Sequence, residues 1–231
     1  MKKVKVLFAD LDGTLIKTLS GETFPKGVWD MQFRFEVLDK IKDLKPEYIC
    51  IVSNQGGIES EMVFEMNFID KMRYIESSIR EYTGIPTYSE YCATNSKENP
   101  MRKPNTGMLE KIFRTINSGL NFTKSGLKSI EKDECLMIGD ASGKPGQFSN
   151  SDLNTSENFG IDYLDVEEFV DIYGKNDSEE LSDFESSLFT AFSYAWQKYL
   201  NGKEVNVVQW VKENSKELLK AAKETLNSSK Q

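Results

Sequence analysis

Two carboxylates with the spacing of a catalytic pair, Asp10 and Asp12, follow directly after the apolar run Val4 to Ala9. At a strand end, where the chain leaves extended geometry, both side chains can reach one small site. Such a pair suits a nucleophile and an acid/base. Because adjacent carboxylates repel, either a divalent cation binds both or one of them is protonated. Gly13 then permits a tight turn, and Thr14 offers a hydroxyl and an amide.

Three further loops carry polar groups that fit phosphate chemistry. Ser53 and Asn54 follow a second apolar run and offer a hydroxyl and amides, which bind phosphate oxygens without adding charge. Lys103 offers a point charge that can neutralise a phosphoryl group. Asp140 follows a third apolar run and adds the carboxylate that completes a site for a hard cation. Each signal is weak alone, and the combination favours phosphate chemistry assisted by a cation.

The composition excludes several other kinds of chemistry. The chain has no His, which removes Ser-His-Asp and Cys-His catalysis and the usual zinc ligand sets. Its 3 cysteines, Cys50, Cys92 and Cys135, lie far apart inside apolar runs, so we expect buried free thiols. Carboxylates, hydroxyls and lysine remain, and Mg²⁺ is the cofactor that matches such oxygen ligands.

Short apolar runs alternate with amphipathic patterns along most of the chain. The predicted strands are Val4 to Ala9, Glu47 to Val52, Tyr88 to Thr94 and Glu134 to Ile138. The predicted helices are Phe33 to Leu44, Ser60 to Tyr82, Thr106 to Ile116 and Leu153 to Phe159. This alternation predicts an α/β fold with a Rossmann-like parallel sheet flanked by helices. Because ligands bind beyond the carboxyl ends of parallel strands, the four polar loops should meet at one edge.

The spacing between the loops leaves little room for a large cap domain over the site. Only 38 residues separate Thr14 from Ser53, and 49 separate Ser53 from Lys103. The predicted strands and helices use nearly all of them. We therefore expect an open site, which suits a phosphate at the end of a polymer better than a small metabolite that must be enclosed.

The character of the chain changes from about residue 174. An acidic, polar stretch leads into two amphipathic patterns joined through Asn201-Gly202, which predict a C-terminal helical hairpin. We expect a domain over residues 1–173 and a helical extension over residues 174–231 that packs on the domain, self-associates or binds a protein partner. No apolar run reaches the roughly 18 to 20 residues of a membrane helix. We expect a soluble, unprocessed, cytoplasmic chain with no membrane partner.

Charge is distributed unevenly. The net charge of −8 argues against a duplex-DNA binder built on an all-basic face. Residues 95–130 nevertheless form a basic block with a local charge of +5. Its members are Lys97, Arg102, Lys103, Lys111, Arg114, Lys124 and Lys128. The block is either a solvated helix surface or a track for a nucleic-acid backbone beside the site.

Four motifs, in this order, resemble those of the haloacid dehalogenase-like phosphatases: DLDGTL (Asp10–Leu15), SNQ (Ser53–Gln55), RKP (Arg102–Pro104) and GDASG (Gly139–Gly143). Over about residues 3–173, the strings FADLDGTLIKTLSGETFP and GDASGKPGQFSNSDLNTSENFGIDYLDVEEF further resemble the phosphatase domain of the polynucleotide kinase 3′-phosphatase family. This resemblance implies a Mg²⁺-dependent phosphatase domain acting on 3′-phosphates at DNA or RNA ends. The chain contains no GxxxxGK[ST] phosphate loop, so we do not expect the kinase activity of the two-domain members.

The resemblance also implies roles for individual residues. The catalytic residues would be Asp10 as nucleophile, Asp12 as acid/base, and Ser53 and Lys103 as groups that hold the phosphoryl. The phosphate contacts would be Asp10, Leu11, Thr14, Ser53, Asn54 and Lys103. The Mg²⁺ ligands would be Asp10, the Asp12 carbonyl and Asp140. Asp152 stands at the N-cap of the predicted helix Leu153 to Phe159, where it would cap the helix, support the metal site from a second layer or bind the metal directly.

Two departures from the family pattern bear on the substrate. Gln55 to Glu61 is neutral to acidic where animal members are basic, and Lys144 stands where Arg is common. Both leave the chemistry intact and weaken the assignment of duplex DNA. One alternative is a phosphatase for a small phosphomonoester, although this chain lacks the Cys/His zinc loop of the histidinol-phosphate and heptose-bisphosphate branches. Another is a scaffold without turnover, which the intact motif residues disfavour.

Overall fold

The structure is a computed structural model that describes residues 3–21, 25, 30–123 and 129–172. The helical hairpin predicted for residues 174–231 lies outside these residues. The chain divides into two compact units, one formed by residues 1–16 and 37–174 and the other by residues 17–36 and 175–231. All of the predicted site residues belong to the first unit.

A five-stranded parallel sheet is the centre of the first unit. Its strands are β1 (Val6–Ala9), β4 (Tyr48–Asn54), β5 (Thr87–Cys92), β6 (Cys135–Gly139) and β7 (Asp162–Asp165); two further short strands are β2 (Ile16–Lys17) and β3 (Gln32–Phe33). The sheet has the order β5-β4-β1-β6-β7, and β2 pairs with β3. In the central strand, Phe8 stands opposite Cys50 on one side and Met137 on the other. Because both faces of a central parallel strand are covered, β1 is apolar and buried throughout.

Helices cover the sheet and supply its core contacts. They are α1 (Phe35–Leu44), α2 (Glu65–Thr83), α3 (Gly107–Thr123), α4 (Ser151–Phe159) and α5 (Val166–Ile172), with a 3-10 turn at Lys132–Glu134. Phe8 of β1 lies in one buried cluster with Met108 and Leu109 of α3 and with Phe159 of α4. The ring of Phe159 meets Phe8 and Phe113 edge-on, at centroid distances of 6.0 and 5.7 Å. This packing fixes the ends of β1, α3 and α4 relative to one another.

The predicted α/β fold is confirmed, although several elements have other bounds than predicted or were not predicted at all. β7 and α5 were not predicted, because β7 is only partly buried and carries Asp at both ends, which hides its strand pattern. α2 begins at Glu65 instead of Ser60, since residues before it form a loop in which Glu61 has a positive φ of 56°. α4 begins at Ser151, two residues earlier than predicted.

Two other expectations, on the cap domain and on the cysteines, also hold in the described residues. Between β4 and Lys103 these residues form α2, β5 and short loops, so no cap domain is inserted there. All three cysteines are buried and free, as predicted. Within the described ranges, no helix is both long and apolar enough to span a membrane.

Candidate active site

The turn after β1 brings Asp10 close to Asp140. The Asp10 N–H donates to the Ile138 carbonyl at 3.0 Å, which ties the ends of β1 and β6 together. The Leu11 carbonyl accepts from three amides further along the chain, at 3.3, 3.0 and 3.1 Å, and closes a tight turn. Gly13 in this turn has a φ of +89°, and a Cβ there would lie 2.0 Å from Asp140 Oδ2. Glycine is therefore required for the turn to approach the Asp140 carboxylate so closely.

Lys103 places a buried ammonium at the same edge of the sheet. Its Nζ hydrogen-bonds Asp10 Oδ1, donates to the Val52 carbonyl at 2.9 Å and lies 2.7 Å from Asp152 Oδ1. Asn54 holds the lysine main chain: its Oδ1 accepts from the Lys103 N–H at 2.9 Å and its Nδ2 donates to the Lys103 carbonyl at 3.0 Å. Asn54, predicted to contact phosphate, thus uses its side chain to position Lys103.

Three carboxylates meet around this ammonium. Asp10, Asp140 and Asp152 each offer an oxygen, and these atoms lie within 4.8 Å of one another. Burial raises the pKa of Asp10 well above its usual range, although the charge of Lys103 opposes this. Burial, and then the charge of Asp152, raises the pKa of Asp140 to about 6. Both shifts report negative charge that is crowded into a poorly solvated space.

This cluster fits a divalent cation. Three carboxylates and one ammonium sum to a charge of −2, which a divalent cation cancels. Buried Asp152 Oδ1 has no aligned hydrogen-bond donor among the described residues, although Lys103 Nζ lies beside it. All the side-chain ligand atoms offered are oxygens, the donors that hard cations prefer. Asp10, Asp140 and Asp152 therefore form a candidate divalent-metal site.

Asp152 has a larger part in the site than its sequence position suggested. The N-cap of α4 is Asn150, so the interpretation of Asp152 as the capping residue is wrong. Its side chain is 1% exposed, and its Oδ2 accepts from the Ala141 N–H at 3.2 Å. A Cβ at Gly139 would lie 2.3 Å from that oxygen. This close packing puts Asp152 among the other carboxylates, which favours direct ligation over a supporting role.

Asp12 has surroundings unlike those of Asp10. Its side chain is exposed, and its carboxylate is not part of the three-residue cluster. The Gln55 Nε2 atom donates to Asp12 Oδ2 at 2.7 Å and to Ser53 Oγ at 2.8 Å. Ser53 is buried. The structure thus links two predicted catalytic residues through Gln55, which the sequence analysis left without a role although the SNQ motif contains it.

Leu11 and Thr14, the remaining predicted phosphate contacts, lie inside the turn after β1. Both side chains are fully buried. The Thr14 N–H donates to the Leu11 carbonyl at 3.3 Å, and its hydroxyl has no hydrogen-bond partner within the described residues. Both residues therefore shape the turn that carries Asp10 and Asp12.

The basic block is divided among several environments. Lys103 belongs to the site, whereas the Arg102 guanidinium donates to the Thr94 carbonyl at 2.7 Å. Lys111 forms an ion pair with Glu90 at 2.7 Å. Lys97 and Arg114 are exposed, as is Lys111, and the block's members outside the described residues are Lys124 and Lys128. The described part of the block is therefore not one continuous basic surface.

Comparisons with known proteins relate this chain to a family and to individual relatives. The family model described as polynucleotide kinase 3 phosphatase matches residues 5–170. A bifunctional polynucleotide phosphatase/kinase of Schizosaccharomyces pombe is 34% identical over 173 residues, which are 73% of this chain and 38% of that protein. The polynucleotide 3′-phosphatase ZDP of Arabidopsis thaliana is 22% identical over 71% of this chain and 24% of that protein. This chain thus spans well under half of either relative.

A viral relative has a more similar length. An uncharacterized 20.8 kDa protein of Autographa californica nuclear polyhedrosis virus is 29% identical over 182 residues, covering 74% of this chain and 88% of that protein.

Solved structures show the same fold. The D,D-heptose 1.7-bisphosphate phosphatase of B. bronchiseptica, complexed with magnesium and phosphate, superposes with a TM-score of 0.52 at 16% identity and covers 69% of this chain and 79% of that chain. A putative HAD-like phosphatase of Mesorhizobium loti gives 0.50 at 18% identity, over 75% of this chain and 89% of that chain. The fold is that of the haloacid dehalogenase-like phosphatases, and the match over residues 5–170 places this chain in the polynucleotide kinase 3 phosphatase family.

Proposed function

We propose that this phosphatase-family protein removes 3′-phosphate from nucleic-acid ends through an aspartyl-phosphate intermediate, with Mg²⁺ as its cofactor. The observation that carries the proposal is the pairing of a buried carboxylate, Asp10, with a buried ammonium, Lys103, next to an exposed carboxylate, Asp12. The first two suit attack on a phosphoryl group, and the third suits proton transfer at the entrance.

In the first step, an Asp10 oxygen attacks phosphorus while the bond from phosphorus to the 3′ oxygen breaks. The departing oxygen keeps the bonding electrons and takes a proton from the Asp12 carboxyl. In the second step, Asp12 accepts a proton from a water molecule whose oxygen attacks the same phosphorus. The Asp10 carboxylate is released and inorganic phosphate leaves. The first step leaves Asp12 deprotonated and the second returns its proton, so the two steps together restore the starting protonation state.

Groups of the site neutralise the negative charge of the phosphoryl oxygens during both steps. Lys103 balances the phosphoryl oxygens, and the Ser53 hydroxyl donates to one of them. Asp10, Asp140 and Asp152 would hold Mg²⁺, with the Asp12 carbonyl as a further ligand. When bound, the cation neutralises phosphoryl charge and keeps Asp10 ionised. Asn54 keeps Lys103 in place through two main-chain hydrogen bonds of 2.9 and 3.0 Å.

The substrate class rests on the family and on the openness of the site. Relatives in this family are named for polynucleotide phosphatase activity. The exposed Asp12 and the lack of an inserted cap between β4 and Lys103 leave the described entrance accessible to a polymer end. An enclosed site would favour a small metabolite instead.

The test is phosphate release from an oligonucleotide with a 3′-phosphate, compared with a 5′-phosphate oligonucleotide and a panel of small phosphomonoesters. We expect preference for the 3′-phosphate, dependence on Mg²⁺, and a loss of at least about 10³-fold in Asp10→Asn. Asp162→Asn changes an exposed aspartate on β7 and serves as the matched control. Equal turnover of a small ester would contradict the substrate, and full activity in chelator would contradict the cofactor.

A further inference from the structure

Gln55 makes an unusual pair of contacts for a loop residue. Its single amide nitrogen donates to the exposed carboxylate of Asp12 at 2.7 Å and to the hydroxyl of buried Ser53 at 2.8 Å. A carboxylate can only accept, so the amide nitrogen, and not the amide oxygen, faces Asp12. Both hydrogens of the amide are therefore directed at groups of the proposed reaction.

The main-chain N–H and carbonyl of Gln55 both form backbone hydrogen bonds. Its N–H donates to the Cys92 carbonyl at 2.7 Å, at the end of β5, and its carbonyl accepts from the Ile58 N–H at 3.1 Å. The next residue, Gly56, accepts from Asn95 Nδ2 at 2.8 Å. An amide on so fixed a backbone can restrain a side chain that would otherwise rotate freely in water.

Asp12 is the side chain that needs such a restraint. Buried Asp10 is fixed by Lys103, whereas Asp12 is exposed, and in the described part of the chain its carboxylate bonds no side chain besides Gln55. Without this contact, the carboxylate would sample several rotamers, and few of them would face the leaving oxygen.

We propose that Gln55 is the positioning residue of the acid/base. It holds Asp12 Oδ2, so that Oδ1 remains directed to the leaving group and then to water. This inference rests on the proposed phosphatase mechanism. Gln55 also donates to Ser53 Oγ, which leaves the Ser53 proton free to donate to a phosphoryl oxygen. Because it acts through Asp12, Gln55 is not itself a catalytic residue.

The decisive variant is Gln55→Met, which keeps the length of the side chain and removes the donor. We expect kcat on a 3′-phosphate oligonucleotide to fall about 10- to 100-fold, as for loss of a hydrogen bond to a charged group, while KM changes less than about threefold. Asn67→Ala, which changes an exposed side chain on α2 away from this loop, is the control and should leave kcat unchanged. Equal thermal unfolding of the variants shows that the fold is kept.

A substrate whose leaving group needs no proton shows whether Gln55→Met affects the positioning of Asp12 or the structure of the whole site. The phenolate of p-nitrophenyl phosphate leaves without a proton, so its first step should not need an oriented acid. In Gln55→Met we expect a rapid burst of p-nitrophenolate at the wild-type rate, followed by slow turnover, because hydrolysis of the intermediate still needs Asp12. Loss of the burst as well as of turnover would overturn the inference.

A double-mutant cycle tests whether Gln55 acts through Asp12 or through Ser53. In an Asp12→Asn background, Gln55→Met should cost less than about twofold more in kcat. A full additional loss there, disappearing in a Ser53→Ala background, would assign Gln55 to phosphate binding and overturn the proposal. Gln55→Glu, which places a second carboxylate beside Asp12, should be as slow as Gln55→Met or slower.

Failure of the proposed function would look different. If the wild-type protein hydrolyses neither substrate with Mg²⁺, the phosphatase proposal is overturned, and crystal structures then decide the role of Gln55. Asp12 should occupy one rotamer in the wild-type protein and several in Gln55→Met. An unchanged rotamer would overturn the positioning role.

Discussion

The site has two regions that differ in how they hold charge. The floor consists of Asp10, Lys103, Asp140 and Asp152; Lys103 and Asp152 have side chains only 2% and 1% exposed. The rim consists of Asp12, Gln55, Gly56, Glu59 and Asn95, of which Asp12, Glu59 and Asn95 are exposed. The floor is built on charged contacts in a poorly solvated space, and the rim on hydrogen bonds in contact with water.

This difference assigns different tasks to the two regions. On the floor, few water molecules compete with the ion pairs, so each charge strongly affects its neighbours. Burial, and then the charge of Asp152, raises the pKa values of Asp10 and Asp140, while the charge of Lys103 opposes the shift. At the rim, each bond is weaker, and a side chain such as Asp12 can exchange protons with solvent. Substitutions on the floor should therefore change chemistry and stability together, whereas those at the rim should change mainly the rate.

Lys103→Met should give the largest effect in this comparison. It leaves the buried carboxylates of Asp10 and Asp152 and the half-buried one of Asp140 without their ammonium, so we expect kcat on p-nitrophenyl phosphate to fall about 10²- to 10³-fold. The metal-free protein should lose about 3–5 kcal/mol of unfolding free energy, as when one partner of a buried ion pair is removed. Chemical denaturation in chelator measures this loss. Lys97→Met, at an exposed position, is the control. Stability equal to wild type in chelator would show that the floor does not depend on its ammonium.

The sequence predicted most of the floor, for a topological reason. Asp10 and Asp140 directly follow β1 and β6, Lys103 lies in the loop after β5, and the carboxyl ends of parallel strands must share one edge. Asp10, Lys103 and Asp140 could therefore be grouped before any geometry was known. The buried strand β1 was equally clear, because it is apolar on both faces.

Residues that depend on long-range side-chain contacts could not be predicted in this way. Gln55 lies 43 residues from Asp12, and nothing in its local sequence indicates that contact. Asp152 was predicted as a cap because helix starts favour aspartate. However, α4 begins at Ser151, and the Asp152 carboxylate lies beside the Lys103 ammonium. Glu59 belongs to the stretch Gln55 to Glu61 that the sequence showed only as neutral to acidic, but it accepts from Thr94 Oγ1 at 2.8 Å and fixes the loop.

Asp140→Asn should have an intermediate effect, visible in the pH dependence of stability. Asp140 has a folded-state pKa of about 6, above its unfolded value, so protonation favours the folded state. In metal-free wild-type protein this contribution is complete below about pH 4 and is lost as the pH rises through 6.

Asp140→Asn cannot ionise, so it avoids the stability that wild type loses as the pH rises through 6, and it removes part of the crowded negative charge. In chelator at pH 8, we expect Asp140→Asn to unfold about 2–4 °C higher than wild type, and the difference should shrink toward pH 4. With Mg²⁺ the order should reverse, because the variant lacks a ligand. Thermal unfolding at pH 4, 5, 6 and 8 measures both trends. If Asp140→Asn is less stable than wild type in chelator at every pH, negative charge on the floor does not destabilise the metal-free protein.

Asn95→Ala should give the smallest of these effects, because it loosens the rim without touching a charge. Asn95 Nδ2 donates to the Gly56 carbonyl at 2.8 Å and to Ser60 Oγ at 3.2 Å, so it anchors the loop that carries Gln55. We expect kcat on a 3′-phosphate oligonucleotide to fall about 2- to 10-fold, the factor for one or two ordinary hydrogen bonds.

The first-turnover burst with p-nitrophenyl phosphate and the metal-free stability of the floor should stay near wild type in Asn95→Ala. Asn67→Ala, an exposed substitution on α2, is the control. A fall in metal-free stability as large as that in Lys103→Met would mean that floor and rim form one cooperative unit, and the distinction between them would be lost.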